Sequence, residues 1–193
     1  MNAIAVRTVE KDRHLDLAAY RQSDMEPGRD AWELLRRLWM TEEPDIIALP
    51  VDPWTISNKL GITVYRDDEL EPEVAGVLRK AEGFEDPEIF LNAADPNQRR
   101  RFVCAHALGH YSRNIELRRD EAWEIIEGRG FFTAPIGDVE EAYATEFAAE
   151  LLMPRAALDE LAEGSTVVGL ANLFGVTGDV MGFRLDQIGW RRR

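Results

Sequence analysis

The chain has 193 residues, of which 45% are hydrophobic and 31% are charged, a composition typical of one globular domain or of a domain with an appendage. Its net charge of −13 argues against a protein whose whole surface binds nucleic acid or an anionic membrane. Cys104 is the only cysteine, so no internal disulfide can form and a reducing compartment fits.

The N-terminal region carries no pattern of an export signal or a membrane span. Charges begin within residues 1–7, and no stretch approaches the roughly 18 apolar residues that a membrane-spanning helix needs. We therefore expect a cytoplasmic protein without a membrane partner. Residues 1–29 are mostly polar and are expected to form an N-terminal arm.

The first half of the chain predicts two helices and a small sheet. Asp30 can cap a helix, and a short helix over residues 55–60 ends at Gly61. The strand pattern marks three short segments, at residues 62–65, 74–78 and 89–92. Because the links between these strands are too short for crossover helices, we expect an antiparallel sheet.

The second half predicts mainly helices. Two strong helices are expected over residues 97–113 and 138–153, with Asp138 as the cap of the second and Pro154 as its stop. Between them, residues 116–128 are charged and weakly helical. Two or three short helices follow, over residues 156–163, 166–174 and 178–188. The fold class is therefore α+β, with a main domain at 30–154 and a C-terminal helical subdomain at 155–193.

Two of the three histidines, His106 and His110, lie four residues apart on the first strong helix. Side chains at positions i and i+4 lie one above the other on a helix face, so two imidazoles there can share one metal ion. Two ordinary histidines, one at a helix end and one buried, would give the same spacing. Cys104 lies about 200° around the helix from His106 and is interpreted as a small buried hydrophobic residue.

Glu141, on the second strong helix, is a candidate for a further ligand. It shares a helical stripe with small residues such as Ala144, Thr145 and Ala148, which would let the two helices approach closely. Alternatively, it is a solvated acid in the first turn of its helix. Glu140, Glu146 and Glu150 compete with it; at 100° per residue, Glu146 is rotated about 140° and Glu150 about 180° from Glu141.

These two segments together resemble the ImmA/IrrE metallopeptidase family. The first reads Arg-Phe-Val-Cys-Ala-His-Ala-Leu-Gly-His at residues 101–110, against R-F-T-x-A-H-E-L-G-H in the family. The second reads Glu-Ala-Tyr-Ala-Thr-Glu-Phe-Ala-Ala-Glu-Leu-Leu-Met-Pro at 141–154, against E-x-x-A-N-x-F-A-A-E-L-L-M-P. The resemblance covers residues 30–189. It implies a zincin-like fold and zinc ligands at His106, His110 and Glu141, with manganese or another divalent ion as an alternative.

Two positions depart from the family pattern. Thr145 replaces the usual Asn or Asp, which is expected to be a hydrogen-bond partner of a ligand histidine. Ala107 stands where the family has its catalytic glutamate, the general base that takes a proton from the attacking water. The resemblance therefore implies retained metal binding with impaired proteolysis. Two explanations of Ala107 stay open. Either the glutamate was replaced deliberately, or the protein is a natural pseudo-enzyme that has diverged from the family pattern.

Residues 167–188 have the pattern of a helix-turn-helix, which we interpret as a structural subdomain. Arg184 is the one basic residue of the second helix, and Asp179 and Asp186 oppose it, so direct binding of nucleic acid is not expected.

The family resemblance implies a function in transcription regulation. Its active members cleave an XRE-type helix-turn-helix repressor and so relieve repression. The alternative is a zinc-binding antirepressor or toxin–antitoxin component that acts by stoichiometric binding of its partner.

Overall fold

The structure is a computed structural model, and it describes residues 2–5, 26–41, 46–84, 86–114, 122–129 and 139–190. These residues form six strands and seven helices. The strands are β1 (Asn2–Ala5), β2 (Ile46–Leu49), β3 (Thr63–Asp67), β4 (Val74–Lys80), β5 (Glu88–Asn92) and β6 (Trp123–Gly128). The helices are α1 (Pro27–Leu38), α2 (Pro53–Lys59), α3 (Asn97–Asn114), α4 (Val139–Leu152), α5 (Arg155–Leu161), α6 (Val167–Phe174) and α7 (Gly178–Gln187).

The main sheet is mixed, with four strands in the order β3-β5-β4-β6. The α+β fold class is confirmed, and β4 runs antiparallel to both β5 and β6. The expectation of an antiparallel sheet is wrong for β3 and β5, which are parallel. The chain passes from β3 to β4 and returns in β5, which fills the place between them. The connection between the two parallel strands is therefore a strand and not a crossover helix, so short links did not exclude a parallel pair.

Several helix starts differ from the expected positions. Helix α1 begins at Pro27, with Glu26 at the N-cap, and Asp30 accepts a hydrogen bond from the Tyr143 hydroxyl instead of capping. Helix α2 begins at Pro53, because the Asp52 carboxylate caps it and accepts a hydrogen bond from the Thr55 hydroxyl at 2.6 Å. Asp138, expected to cap α4, lies outside the described residues.

Three strands were not expected from the sequence. Strands β1 and β2 form a separate antiparallel pair. The prediction of weak helix over residues 116–128 is wrong for its described end, where β6 forms the edge of the main sheet. The charged residues suggested a helix, but alternate side chains of β6 face the core and solvent. Ile125 is half-buried, Ile126 is 61% exposed and Glu127 is 2% exposed.

Helix α3 occupies the centre of the molecule, and every residue from 100 to 110 is buried. The buried side chains of Leu78, Ile89 and Leu91 line the face of the sheet that α3 covers. Helix α4 packs on another side of α3. At that contact a Cβ on Gly109 would lie 2.8 Å from the Ala144 Cα, so only glycine allows the two backbones to come so close.

Two buried arginines connect the C-terminal helices to the rest of the chain. Arg101 on α3 donates a hydrogen bond to the Gly175 carbonyl, at 2.9 Å, at the end of α6. Arg184 on α7 donates to the Met153 carbonyl, at 3.2 Å, and forms an ion pair with Glu150 on α4. The predicted division at residue 154 stays a prediction.

Among the described residues, no helix combines the length and the apolar composition needed to cross a membrane.

The Gly109 contact leads to a prediction about stability. Gly109→Ala introduces a methyl group against backbone atoms of α4, and overpacking of this kind costs about 1–3 kcal/mol. That cost exceeds the roughly 0.8–1 kcal/mol that alanine gains over glycine inside a helix. We expect a lower free energy of unfolding in urea titrations.

Gly182→Ala is the matched control for this variant. Gly182 also lies within a helix, but a Cβ there would have no neighbour within 4 Å. We expect this control to stabilise the protein by about 0.5–1 kcal/mol. A Gly109→Ala variant as stable as Gly182→Ala would show that α3 and α4 can separate without cost.

Candidate metal centre

The two histidines of α3 lie side by side in the core. His106 is fully buried and His110 is 2% exposed. Their ring centroids are 4.9 Å apart, and the ring planes are inclined by 74°. This arrangement follows from the helical repeat, which stacks the side chains of residues four apart.

Helix α4 brings a carboxylate to both rings. Glu141 Oε1 lies 3.1 Å from His110 Nε2, and Glu141 Oε2 lies 3.6 Å from His106 Nε2. One ligand atom from each of the three residues lies within 4.8 Å of the others, and no second such group occurs in the described part of the chain. Two imidazole nitrogens and one carboxylate oxygen are donors that divalent transition metals accept. The residues thus fit a divalent metal ion.

The competing glutamates of α4 are not part of this ligand group, although the charge of Glu140 also raises the His110 pKa. Glu140 and Glu146 are exposed, and Glu150 is engaged by Arg184 and by the Arg155 backbone N–H. Glu141 is therefore the carboxylate of α4 that lies against the histidine pair.

A second carboxylate at the site was missed in the sequence. Glu127, on β6, places Oε2 at 2.8 Å from His106 Nδ1 and Oε1 at 3.8 Å from His110 Nε2. The alternation of apolar Trp123 and Ile125 with charged Glu124 was a weak strand signal in the sequence, and continuing it places Glu127 on the same face as Trp123 and Ile125. Nothing in the sequence paired it with a histidine.

Thr145 contacts a candidate ligand histidine, in line with the expectation for this position. Its hydroxyl oxygen is 3.3 Å from His106 Nε2, the nitrogen that faces Glu141. The other ring nitrogen, Nδ1, contacts Glu127. The threonine is therefore next to the three donor atoms, and the carboxylate on the back of His106 comes from the sheet.

The two remaining sequence candidates on α3 are both fully buried. Ala107 offers a methyl group at the position between the histidines where the family pattern has a glutamate. Cys104 is a buried residue, as predicted, and burial raises its pKa to about 12, so the thiol stays protonated.

The electrostatics couple His110 to Glu141. Burial lowers the His110 pKa, but the hydrogen bond with Glu141 and the charge of Glu127 outweigh burial, so the pKa lies above its ordinary value. The same hydrogen bond lowers the pKa of Glu141, against the effect of burial. Without metal, the pair therefore stabilises the fold most between these two pKa values. That stability falls as pH rises through the His110 pKa and as pH falls through the Glu141 pKa.

The α+β fold, the two-histidine helix and the facing glutamate together define a zincin-like metallopeptidase domain. Residues 58–186 match the family model described as the IrrE N-terminal-like domain of peptidase family M78. The match covers well over half of the chain and includes all four site residues on α3, α4 and β6. The chain belongs to the ImmA/IrrE family of metallopeptidases. The search of curated proteins gave no match.

The raised His110 pKa predicts proton release on metal binding. A metal ion needs the neutral imidazole, so below the His110 pKa the ion must displace a proton. We expect His110 to contribute about one released proton per zinc ion below its pKa, and this contribution to fall toward zero as pH rises well above that pKa.

Calorimetric titration in buffers of different ionisation enthalpy measures this number. The same titration at higher pH measures the protons that come from a metal-bound water, because His110 is then already neutral. Zinc binding without proton release at the lower pH would contradict the His110–Glu141 coupling.

Proposed function

We propose that this protein binds zinc through His106, His110 and Glu141 and recognises an XRE-type helix-turn-helix repressor, with peptide hydrolysis impaired by Ala107. The observation that carries the proposal is the convergence of the three donors on two packed helices, with their ligand atoms within 4.8 Å of one another. Two imidazoles and one carboxylate are a common zinc set, which favours zinc over manganese.

A bound metal ion would supply Lewis-acid chemistry to a hydrolytic site. His106, His110 and Glu141 would hold it, and a separate group of the chain would have to take a proton from the attacking water. Ala107 has no such group, although it occupies the position where the family pattern places it. Since general acid–base catalysis contributes roughly 10²–10⁴-fold, we infer a slow or inactive peptidase that keeps its metal.

A protein partner fits the charge of the chain better than DNA does. The net charge of −13 would repel nucleic acid and would favour a basic surface such as that of a DNA-binding protein. Arg184, the basic residue of α7, is buried and paired with Glu150, so it is not available to contact DNA. Asp179 and Asp186 add negative charge to the same helix. Helices α6 and α7 are accordingly assigned a structural role.

Ala107 also favours a second candidate function, a zinc-binding antirepressor or toxin–antitoxin component that acts by stoichiometric binding. Such a protein needs the partner surface and the metal-stabilised fold, but no general base. The two functions differ in stoichiometry, because an enzyme consumes an excess of its partner and a binder does not.

Restoring the glutamate tests the impairment. We expect Ala107→Glu to raise the rate of repressor hydrolysis by roughly 10²–10⁴-fold, because a carboxylate would again accept the proton. Ala107→Gln is the matched control. Glutamine has the same size as glutamate at this buried position, but its amide cannot act as a base. Thermal unfolding of both variants checks the packing. Equal rates for wild type and Ala107→Glu would contradict the assigned cause.

Mixing the wild-type protein with an XRE-type helix-turn-helix repressor tests the partner. We expect a stable complex on size-exclusion chromatography, with both chains at full length by intact-mass spectrometry. The Ala107→Glu variant should remove more than one equivalent of intact repressor. If the wild type and its repressor elute separately, the partner assignment is wrong, and if wild type consumes excess repressor, the impairment is wrong.

A further inference from the structure

Glu127 carries a charged group into the core, which the hydrophobic effect does not favour. Glu127 is 2% exposed on the inner face of edge strand β6, whereas its neighbour Ile126 is 61% exposed on the outer face. Burying a carboxylate is costly unless a partner compensates it. The partner here is His106, whose Nδ1 lies 2.8 Å from Glu127 Oε2.

This contact decides which nitrogen of His106 faces the metal centre. A carboxylate only accepts hydrogen bonds, so Nδ1 of a neutral His106 ring must carry the proton and donate it. Nε2 then carries the lone pair; it lies 3.6 Å from Glu141 Oε2 and 3.3 Å from the Thr145 hydroxyl, from which it can accept a hydrogen bond in the metal-free protein. The hydrogen bond therefore aims a donor atom of His106 at the point where the three ligand groups meet.

The close packing of α3 on the sheet allows the contact between Glu127 and His106. Gly76 on β4 lies opposite Glu127 in the strand register. A Cβ at Gly76 would lie 2.8 Å from Val103 Cγ1 on α3 and 2.9 Å from the Phe90 carbonyl oxygen. The glycine lets α3 lie close to the sheet, and this brings His106 within hydrogen-bond distance of the edge strand.

We propose that Glu127 is a positioning residue of the metal centre, which fixes the tautomer and the orientation of His106 so that Nε2 binds the metal. The inference rests on the metal-binding part of the proposed function. Partners of this kind commonly contribute a factor of about 10–100 to metal affinity. Glu127 acts through His106 and does not itself bind the metal. It also does not replace the missing general base at position 107.

Two variants of Glu127 and one control separate this role from a structural one. Glu127→Met removes the acceptor at similar size, and Glu127→Gln keeps an acceptor oxygen but loses the charge. Glu124→Gln makes the same charge change on the exposed face of β6. Zinc affinity is measured by competition with a chromophoric chelator. We expect a loss of about 10–100-fold for Glu127→Met, a smaller loss for Glu127→Gln and no change for Glu124→Gln.

Nitrogen-15 NMR of the imidazoles in the metal-free protein gives a second readout. We expect His106 to carry its proton on Nδ1 in the wild type and in Glu124→Gln, and to lose this preference in Glu127→Met. A purely structural glutamate would change thermal stability without changing the tautomer. An Nε2-protonated His106 in the wild type would overturn the proposal.

Cobalt substitution tests direct ligation by Glu127. We expect the visible spectrum of the cobalt protein to show the same coordination number in wild type and Glu127→Gln. Loss of a ligand in Glu127→Gln, or unchanged zinc affinity in Glu127→Met, would refute the positioning role. If the wild type binds no zinc but shows the Nδ1 tautomer, the proposed function fails while the orienting hydrogen bond stands.

Discussion

The close contact of helices α3 and α4 at Gly109 is the constraint on which the metal centre depends. With no side chain at this position, the α3 backbone reaches Ala144 so closely that a Cβ would lie 2.8 Å from the Ala144 Cα. His110 follows Gly109 directly, and Glu141 precedes Ala144 by about one helical turn. The contact that joins the backbones therefore also places the His110 Nε2 and Glu141 Oε1 atoms 3.1 Å apart.

On its other side, α3 depends on a second glycine. Gly76 lets the helix lie against the sheet, and the strand paired with it supplies Glu127 to His106. A helix buried around its whole circumference thus carries two imidazoles into the core, where unpaired polar groups are costly. Glu127 compensates His106 from the sheet, and Glu141 compensates His110 from α4.

The parts of the site that depend on one helix could be predicted from the sequence, and the parts that depend on strand register could not. The spacing of His106 and His110 and the small-residue stripe behind Glu141 are local helical patterns. Glu127 is different, because only the register of β6 decides that it faces inward while Ile126 faces out. The parallel pairing of β3 and β5 was missed for a related reason, since strand order is a long-range property.

The contacts that position the three donor residues are separate from position 107, where the family pattern has its general base. Among the described residues, the contacts that position the three donors run through Gly109 and Ala144 and through Gly76 and Glu127. None of them involves the side chain at 107, so an alanine there leaves the donor geometry intact. The arrangement of the three donor side chains therefore depends on backbone packing and strand register, and not on the residue at position 107.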